Sequence, residues 1–324
     1  MSAIEPSPLP PAIDAELQSF LALIAGIEAD EPADPAHPLA RRRRIGERVA
    51  QALPQGPTLA VRRQDLDCPA PGGHAIALRL YHPGPPSGTP AGLMVYFHGG
   101  GWTVGDIASH DKLCARLAHE TGWQVASVDY RRAPEHPYPA PLDDCWQALQ
   151  WLLAQPRQGP GAAGRPVALG GDSAGAHLAL GCAMRAVQQG GPAIDRLLLF
   201  YPPVRPDTDT PSMRQFAQGP GLTAAAMRAY WQAYAGAAPA DDPMLDLTRW
   251  RRLAELPPAV VMTAECDVLR DEGEAYAQAW RQAGGRVTLM RARGMTHGFA
   301  RMLTASAAAC AHVRDACRAL LQAR

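Results

Sequence analysis

One serine of this chain lies in a context typical of a catalytic nucleophile. The pentapeptide Gly171-Asp172-Ser173-Ala174-Gly175 has the Gly-x-Ser-x-Gly form, which places a serine on a tight turn between a strand and a helix. Residues 166–170 before it are apolar enough for a buried strand, and residues 176–186 after it are small and helix-forming. The two glycines leave space in a crowded turn, so Ser173 can adopt a strained conformation with its hydroxyl exposed. The pattern predicts a nucleophile, although a plain glycine-rich loop can also contain such a pentapeptide.

A serine hydroxyl attacks a carbonyl efficiently only when a base takes its proton and a carboxylate orients that base. His297 lies in Gly294-Met295-Thr296-His297-Gly298-Phe299, which we interpret as a loop after a late strand. Asp267 directly follows the predicted strand 259–264. Both side chains are expected at strand carboxyl ends, where ligand sites of open α/β sheets gather. The sequence therefore predicts a catalytic triad of Ser173, Asp267 and His297 for acyl transfer.

Other residues compete for two of these roles. Glu265 and Asp271 flank Asp267, but we expect Asp271 to cap the helix that begins near Glu272 and Glu265 to lie on a neighbouring wall. The chain has ten histidines, and His297 is the one in a loop after a late strand. Asp267 and His297 are therefore favoured.

Attack on a carbonyl creates an oxyanion, which backbone N–H groups can stabilise without side-chain bulk. The segment His98-Gly99-Gly100-Gly101-Trp102 follows the predicted strand 93–97, and three consecutive glycines are costly to order unless they serve a purpose. We expect the N–H groups of Gly100, Gly101 and Ala174 to form the oxyanion hole, with Gly99 shaping the turn.

The remaining motif residues are assigned supporting positions. His98 is expected to anchor the glycine segment by hydrogen bonds rather than to act as a base, and Trp102 is expected to form a wall of the pocket. Asp172, inside the serine motif, is expected to lie beside the same pocket.

Strand and helix patterns alternate along most of the chain. Two early strands, at 58–66 and 75–81, form a predicted antiparallel pair. Further strands are predicted at 93–97, 125–129, 166–170, 197–201, 259–264 and 287–291. Helices are predicted between or after them at 109–121, 142–154, 176–189, 272–283 and 305–323. This alternation predicts an α/β fold with a mostly parallel sheet covered by helices on both faces.

Two regions fall outside this alternation. Residues 13–27 and 39–52 are predicted helices before the first strand, and 202–252 is a long helical or irregular insertion. We therefore predict cap helices in 1–57, a cap insertion at 202–252, and a core formed by 58–201 and 253–324. The run Arg41 to Arg44 fits either a docking patch for acidic groups or, preferably, a solvated helix face.

Composition excludes several classes of partner. The 324 residues are 47% hydrophobic and carry 31 basic and 31 acidic side chains, so no overall field favours nucleic acid or an anionic membrane. Seven scattered cysteines without zinc spacing suggest reduced thiols and a cytoplasmic location. The first residues lack the basic and apolar pattern of a secretory signal, and no window is apolar enough for a membrane span.

Four motifs occur together in one order: His98 to Trp102, Gly171 to Gly175, Asp267 to Gly273 and His297 to Phe299. Together with the segment Tyr130 to Pro139, they resemble the hormone-sensitive lipase family of α/β-hydrolases, the bacterial family IV carboxylesterases. The resemblance runs from about residue 58 to the last residue. It implies the α/β-hydrolase fold with a helical cap and hydrolysis of short- to medium-chain carboxylic esters. It also implies a small-molecule ester substrate, no metal or organic cofactor, and a possible homodimer.

Two other functions are compatible with parts of the pattern. An amidase or arylformamidase would use the same triad, with a greater need to protonate the leaving nitrogen. A receptor for small ligands can share the fold, but receptors of this kind lack the catalytic base. The resemblance also departs at Asp242-Pro243-Met244-Leu245, where the family often has Ser-Pro, and the cap assigns no acyl length.

Overall fold

Eight strands form one sheet with the order β1-β2-β4-β3-β5-β6-β7-β8. The computed structural model describes residues 12–34, 37–84, 90–155, 164–207, 209–239 and 241–323, apart from the side chain of Pro38. The sequence between the predicted strands 75–81 and 93–97 indicates a loop at 83–92, which lies partly outside these residues. The strands are β1 (Val61–Pro69), β2 (Ala75–Pro83), β3 (Leu93–Phe97), β4 (Gln124–Asp129), β5 (Val167–Asp172), β6 (Arg196–Phe200), β7 (Ala259–Cys266) and β8 (Val287–Thr296).

Among the described strands, β2 alone runs opposite to the rest of the sheet, because it pairs antiparallel with both β1 and β4. The other neighbouring strands are parallel, from β4–β3 through β7–β8. The central strands β3 and β5 are buried along their whole length, as expected for parallel strands covered on both faces. The predicted mostly parallel α/β sheet with an antiparallel opening pair is confirmed.

Helices cover both faces of the sheet. They are α1 (Ala15–Asp30), α2 (Pro38–Ala52), α3 (Asp111–Thr121), α4 (Ala140–Ala154), α5 (Ala174–Gln189), α6 (Pro211–Gln215), α7 (Ala224–Ala235), α8 (Arg270–Gln282) and α9 (Ala307–Gln322). Helices α3 and α9 pack together in one apolar core that also takes in α1 and α2. Helices α4, α5, α7 and α8 contribute to the core on the opposite face. The sheet thus separates two cores.

Three strands extend further toward the motifs than the sequence pattern predicts, and β7 does so by reaching Cys266. Strand β5 ends at Asp172 and α5 begins at Ala174, so Ser173 alone connects them. Strand β8 continues to Thr296, because pairing with β7 resumes at Cys266 after an irregularity beyond Ala264. The segment before His297 is therefore strand rather than loop.

The first helices are fastened to the core by more than apolar packing. The backbone N–H of Asp14 donates to the carbonyl of Gly294, and the Asp14 carboxylate accepts from Ser306. Leu17 and Phe20 of α1 are buried in the core beside α9. The start of α1 is thereby tied to the end of the sheet that carries His297.

The arginine run of α2 makes contacts within the chain, whereas a solvated helix face is the preferred expectation. Arg41 donates to backbone carbonyl oxygens of Glu28, Glu31 and Pro32 at the end of α1. Arg44 forms an ion pair with the Glu31 carboxylate at 2.7 Å. These guanidinium groups bind within the chain, which joins α2 to α1.

The structure also bears on the expected reduced cysteines and on the expected absence of a membrane span. All seven cysteines are free thiols, and six of them are buried. Across the described ranges, none of the helices has both the length and the apolar character that a bilayer span requires.

Candidate active site

Ser173 occupies a strained turn between β5 and α5. Its backbone has φ 52° and ψ −122°, a conformation that costs a non-glycine residue about 1–3 kcal/mol. A Cβ atom on Gly171 would lie 2.3 Å from the backbone of Gly175, and one on Gly175 would lie 1.9 Å from the carbonyl oxygen of Phe97. Glycine is required at both positions because the turn packs directly on its own helix and on β3.

The structure brings the three predicted triad residues together. His297 Nε2 lies 2.9 Å from Ser173 Oγ, and His297 Nδ1 lies 2.8 Å from Asp267 Oδ2. The ionised carboxylate accepts from Nδ1–H, which leaves Nε2 free to accept the serine proton. The other oxygen of Asp267 accepts the backbone N–H of Leu269 at 3.0 Å, and the carboxylate is buried. This arrangement can move a proton from the serine to the histidine.

The two competing acids are engaged elsewhere. Glu265 accepts the backbone N–H of Gly294 at 2.8 Å and so braces the segment before His297. Asp271 accepts the N–H of Ser212 at 2.7 Å and pairs with Arg270. The prediction that Asp271 caps its helix is wrong, because α8 begins at Arg270 and Asp271 lies within its first turn.

The glycine segment forms a tight turn at the edge of the site. The carbonyl of Gly100 accepts from the backbone N–H groups of Thr103 and Val104. Gly100 and Gly101 have φ 123° and 58°, and both line the same cavity as Ser173 and His297. Within the described residues, their own N–H groups donate to no other group. These two amides are therefore available to a ligand.

Gly99 and Ala174, the other two residues assigned to the oxyanion hole, differ in the surroundings of their backbone N–H groups. The N–H of Gly99 already donates to Asp172 Oδ1 at 2.9 Å, so this glycine shapes the turn and its amide is occupied. Ala174 is the first residue of α5, where backbone N–H groups have no partner inside the helix. The N-terminal end of a helix also favours negative charge.

Asp172 lies at the centre of a buried hydrogen-bond network. Its carboxylate accepts from the Tyr96 hydroxyl at 2.9 Å and from the Gly99 amide, and it lies 3.2 Å from His110 Nε2. Burial by itself raises the pKa of Asp172, but the charge and hydrogen bond of His110 and the hydroxyl of Tyr96 outweigh it and lower the pKa to about 2. The carboxylate thus stays ionised while it holds the glycine segment.

His98 and Trp102 both lie outside the wall of the cavity. His98 is buried, its Nδ1–H donates to the carbonyl of Gly99 at 2.9 Å, and its ring stacks on Tyr130 at 4.2 Å. Trp102 is completely buried and stacks on Tyr234 of α7 at 4.4 Å, with the two rings nearly parallel. The prediction that Trp102 walls the pocket is wrong, because α7 covers its ring and Gly101 faces the cavity instead.

The cavity above Ser173 has a volume of about 590 Å³. It is lined by residues of the first helices, of the insertion at 202–252 and of the core. Leu21 and Ile24 of α1 and Met227 of α7 give it an apolar wall. Tyr230 of α7 lies directly on Gly101, since its ring carbons are 2.3–2.6 Å from the place a Cβ atom there would occupy. Sequence reasoning missed Tyr230 and His110, because no local motif marks either residue.

The sequence of this chain is similar to those of known proteins. A family model described as the alpha/beta hydrolase fold matches residues 94–301. The carboxylic ester hydrolase LipN of Mycobacterium tuberculosis is 40% identical over 257 residues, which cover 78% of this chain and 67% of LipN. An ethyl acetate hydrolase of Pseudomonas putida is 37% identical over 244 residues, or 74% of this chain and 76% of that enzyme.

A solved structure gives the same result for the fold. A hyperthermophilic esterase from the archaeon Pyrobaculum calidifontis superposes with a TM-score of 0.83 at 30% sequence identity, covering 96% of this chain and 98% of the esterase. The matched family region contains the glycine segment, the serine motif, Asp267 and His297. The resemblance drawn from the four motifs is thus confirmed, and the chain belongs to the α/β-hydrolase family.

Proposed function

We propose that this protein is a serine carboxylesterase that hydrolyses short- to medium-chain esters through an acyl-enzyme on Ser173. The observation that carries the proposal is the hydrogen-bonded line from Asp267 through His297 to Ser173, which opens into a cavity with two free backbone amides. The names of the relatives, carboxylic ester hydrolase and ethyl acetate hydrolase, support ester cleavage.

Acylation begins when Ser173 Oγ attacks the ester carbonyl carbon. His297 Nε2 takes the hydroxyl proton as the new C–O bond forms, and Asp267 stays ionised to stabilise the imidazolium. The carbonyl oxygen becomes an oxyanion beside the N–H groups of Gly100, Gly101 and Ala174. Collapse of this intermediate breaks the bond to the alcohol oxygen, which receives the proton from His297.

Deacylation repeats the same steps with water. His297 takes a proton from the water as its oxygen attacks the acyl carbon, and the second oxyanion occupies the same amides. Cleavage of the bond to Ser173 Oγ releases the carboxylic acid, and His297 transfers the proton taken from water to the serine oxygen. In both half-reactions His297 Nε2 therefore passes the proton of the attacking group to the leaving oxygen.

The cavity supports acyl chains of short to medium length. Its volume of about 590 Å³ lies within the range of small-ligand pockets, and part of its wall is apolar. Because α1, α2 and α7 contribute that wall, we assign segments 1–57 and 202–252 to a cap over the catalytic core. Turnover of p-nitrophenyl esters from acetate to palmitate would measure the chain length that the cavity accommodates.

Replacement of the nucleophile tests the proposal directly. We expect Ser173→Ala to lower kcat for p-nitrophenyl butyrate by about 10⁴-fold or more while its circular dichroism is unchanged. Ser19→Ala, which removes an exposed hydroxyl bonded within α1, is the matched control and should retain full activity. Near wild-type turnover by Ser173→Ala would exclude the proposed mechanism.

Two further assays separate the alternative functions. A fluorophosphonate probe should label the wild-type protein and not Ser173→Ala, whereas a non-catalytic receptor would remain unlabelled. Ester and anilide substrates with the same acyl group compare ester with amide cleavage. Faster turnover of the anilide would assign the protein to the amidases.

A further inference from the structure

Arg42 of the arginine run contacts the cap insertion at the point where it meets the glycine segment. Its guanidinium donates to the Tyr230 hydroxyl at 2.8 Å and lies 5.2 Å from the centre of that ring. Both the hydrogen bond and the cation–π contact favour one position of the ring. In that position the ring of Tyr230 rests on Gly101. Arg42 therefore acts on Gly101 through Tyr230.

Arg43 contacts the same glycine segment by a second route. Its Nε–H donates to the carbonyl of Thr103 at 3.1 Å, and its other nitrogens form two bonds of 2.8 Å to the Glu135 carboxylate. The N–H of Thr103 in turn donates to the carbonyl of Gly100 at 3.1 Å. These contacts link Glu135 through Arg43 and Thr103 to the carbonyl of Gly100, which belongs to the same planar peptide group as the N–H of Gly101.

We propose that Arg42 and Arg43 are positioning residues, which hold the glycine segment so that its free amides keep the orientation that stabilises the oxyanion. This inference rests on the proposed esterase function. Glycine has more backbone freedom than any other residue, and an oxyanion hole stabilises charge well only when its donors are already oriented. Asp172 fixes Gly99 from inside the core, and α2 fixes the next two glycines from outside.

Loss of either arginine should affect the kinetics differently from a general loss of stability. Misplaced amides weaken binding of the transition state more than binding of the substrate, so kcat falls while KM changes little. We expect Arg42→Met and Arg43→Met each to lower kcat for p-nitrophenyl butyrate about tenfold, less than the loss of a whole donor. KM should stay within about twofold of the wild-type value.

A transition-state analogue gives a readout that a structural role would not affect. Butaneboronic acid adds to the serine oxygen as a tetrahedral anion, and one of its oxygens occupies the oxyanion position. Its inhibition constant should rise in each variant by about the same factor as kcat falls, since both measure the same amides. Tyr230→Phe keeps the ring and removes the bond to Arg42, so its effect should not add to that of Arg42→Met.

Arg44→Met is the matched control on the same helix. It removes the same charge, but Arg44 pairs with Glu31 of α1 and not with the glycine segment. We expect it to lower the thermal unfolding midpoint without changing kcat or the inhibition constant. The proposal is overturned if Arg44→Met lowers kcat as much as Arg43→Met, or if boronate inhibition is unchanged in both Arg42→Met and Arg43→Met.

The wild-type protein distinguishes failure of this inference from failure of the proposed function. If the wild type shows neither ester turnover nor boronate inhibition, the esterase proposal itself is wrong. If the wild type is active and all four variants match its kcat and its inhibition constant, the esterase proposal stands and the positioning role is excluded.

Discussion

Asp172 connects the nucleophile to the oxyanion donors through a single carboxylate. It is the residue before Ser173 in the chain, and its side chain accepts the amide of Gly99. The turn that carries the nucleophile and the glycine segment therefore keep a fixed separation. His110, Tyr96 and Tyr201 are further partners of this carboxylate and keep the buried charge stable.

Asp172→Asn tests this connection. The variant keeps the shape of the side chain but loses the charge, so the bonds from Gly99 and His110 weaken and an amide N–H group lacks an acceptor. We expect kcat for p-nitrophenyl butyrate to fall by about ten- to hundredfold, measured in a steady-state ester assay. Asp65→Asn, at an exposed ion pair with Arg79, should leave kcat unchanged. A kcat within twofold of wild type in Asp172→Asn would contradict this role.

The functional role of a single residue can be predicted from the sequence when the reaction requires that residue type. Ser173, Asp267 and His297 were predicted because acyl transfer requires these side chains in recognisable strand and loop contexts. Arg42 and Tyr230 could not be predicted, because they are 188 positions apart and neither belongs to a motif. The motif of Trp102 predicts a position in the pocket wall, but the fold covers its ring with α7.

At the level of elements, the close approach of α5 to β3 sets the position of the nucleophile. Gly175 lies in the first turn of α5 against the backbone of Phe97 and His98. Backbone atoms cannot move aside as a flexible side chain can, so this contact limits the residue to glycine. The serine motif therefore specifies the packing of a helix as well as a nucleophile.

Gly175→Ala should be strongly destabilising for this reason. The added methyl group would lie 1.9 Å from a carbonyl oxygen, and overpacking of this kind costs about 1–3 kcal/mol or more. We expect a lower free energy of unfolding in urea, together with loss of activity. Gly26→Ala in α1, where no atom lies within 4 Å of the new methyl group, should be neutral or stabilising. Equal stability of the two variants would show that the contact can relax.

Most elements were predictable because their apolar patterns are long and are bounded by glycine or proline. The end of β8 was not, since the segment from Arg291 to Thr296 is rich in polar and glycine residues and has the composition of a loop. Its strand conformation depends on pairing with Cys266 of β7, a tertiary contact. The insertion at 202–252 was predicted as helical or irregular, and it contains α6 and α7.

At the scale of the whole molecule, the cavity is assembled from segments far apart in the sequence. Leu21 of α1, Met227 of α7, and Ser173 and His297 of the core line it. The sequence predicts that the first helices and the insertion lie outside the sheet, but not which side chains they bring to the site. These contacts depend on how helices pack, for which no pattern of single residues is specific.

Stability should fall in acid because several carboxylates are more acidic in the folded protein. Burial raises the pKa of Asp111 and of Asp144, but the guanidinium groups of Arg63 and Arg131 lower them by a larger amount, and Asp172 titrates near 2. A depressed folded pKa stabilises the protein above the unfolded value of about 4, and that stabilisation is lost as the pH falls through the folded pKa.

We therefore expect the free energy of unfolding in urea to change little between pH 7 and pH 5 through these groups, and to decrease steadily from about pH 4 toward pH 2. Urea titrations at fixed ionic strength across this range would measure it. Constant stability between pH 5 and pH 3 would contradict the shifted pKa values.

The contact between Tyr230 and Gly101 implies a coupled substitution pattern across related chains. The ring fills the space that any side chain at position 101 would need. A relative with a methyl group at the position of Gly101 must therefore have a smaller residue at the position of Tyr230, or a displaced helix. Covariation of these two columns in an alignment would record, over evolutionary time, that the cap and the glycine segment are selected as one unit.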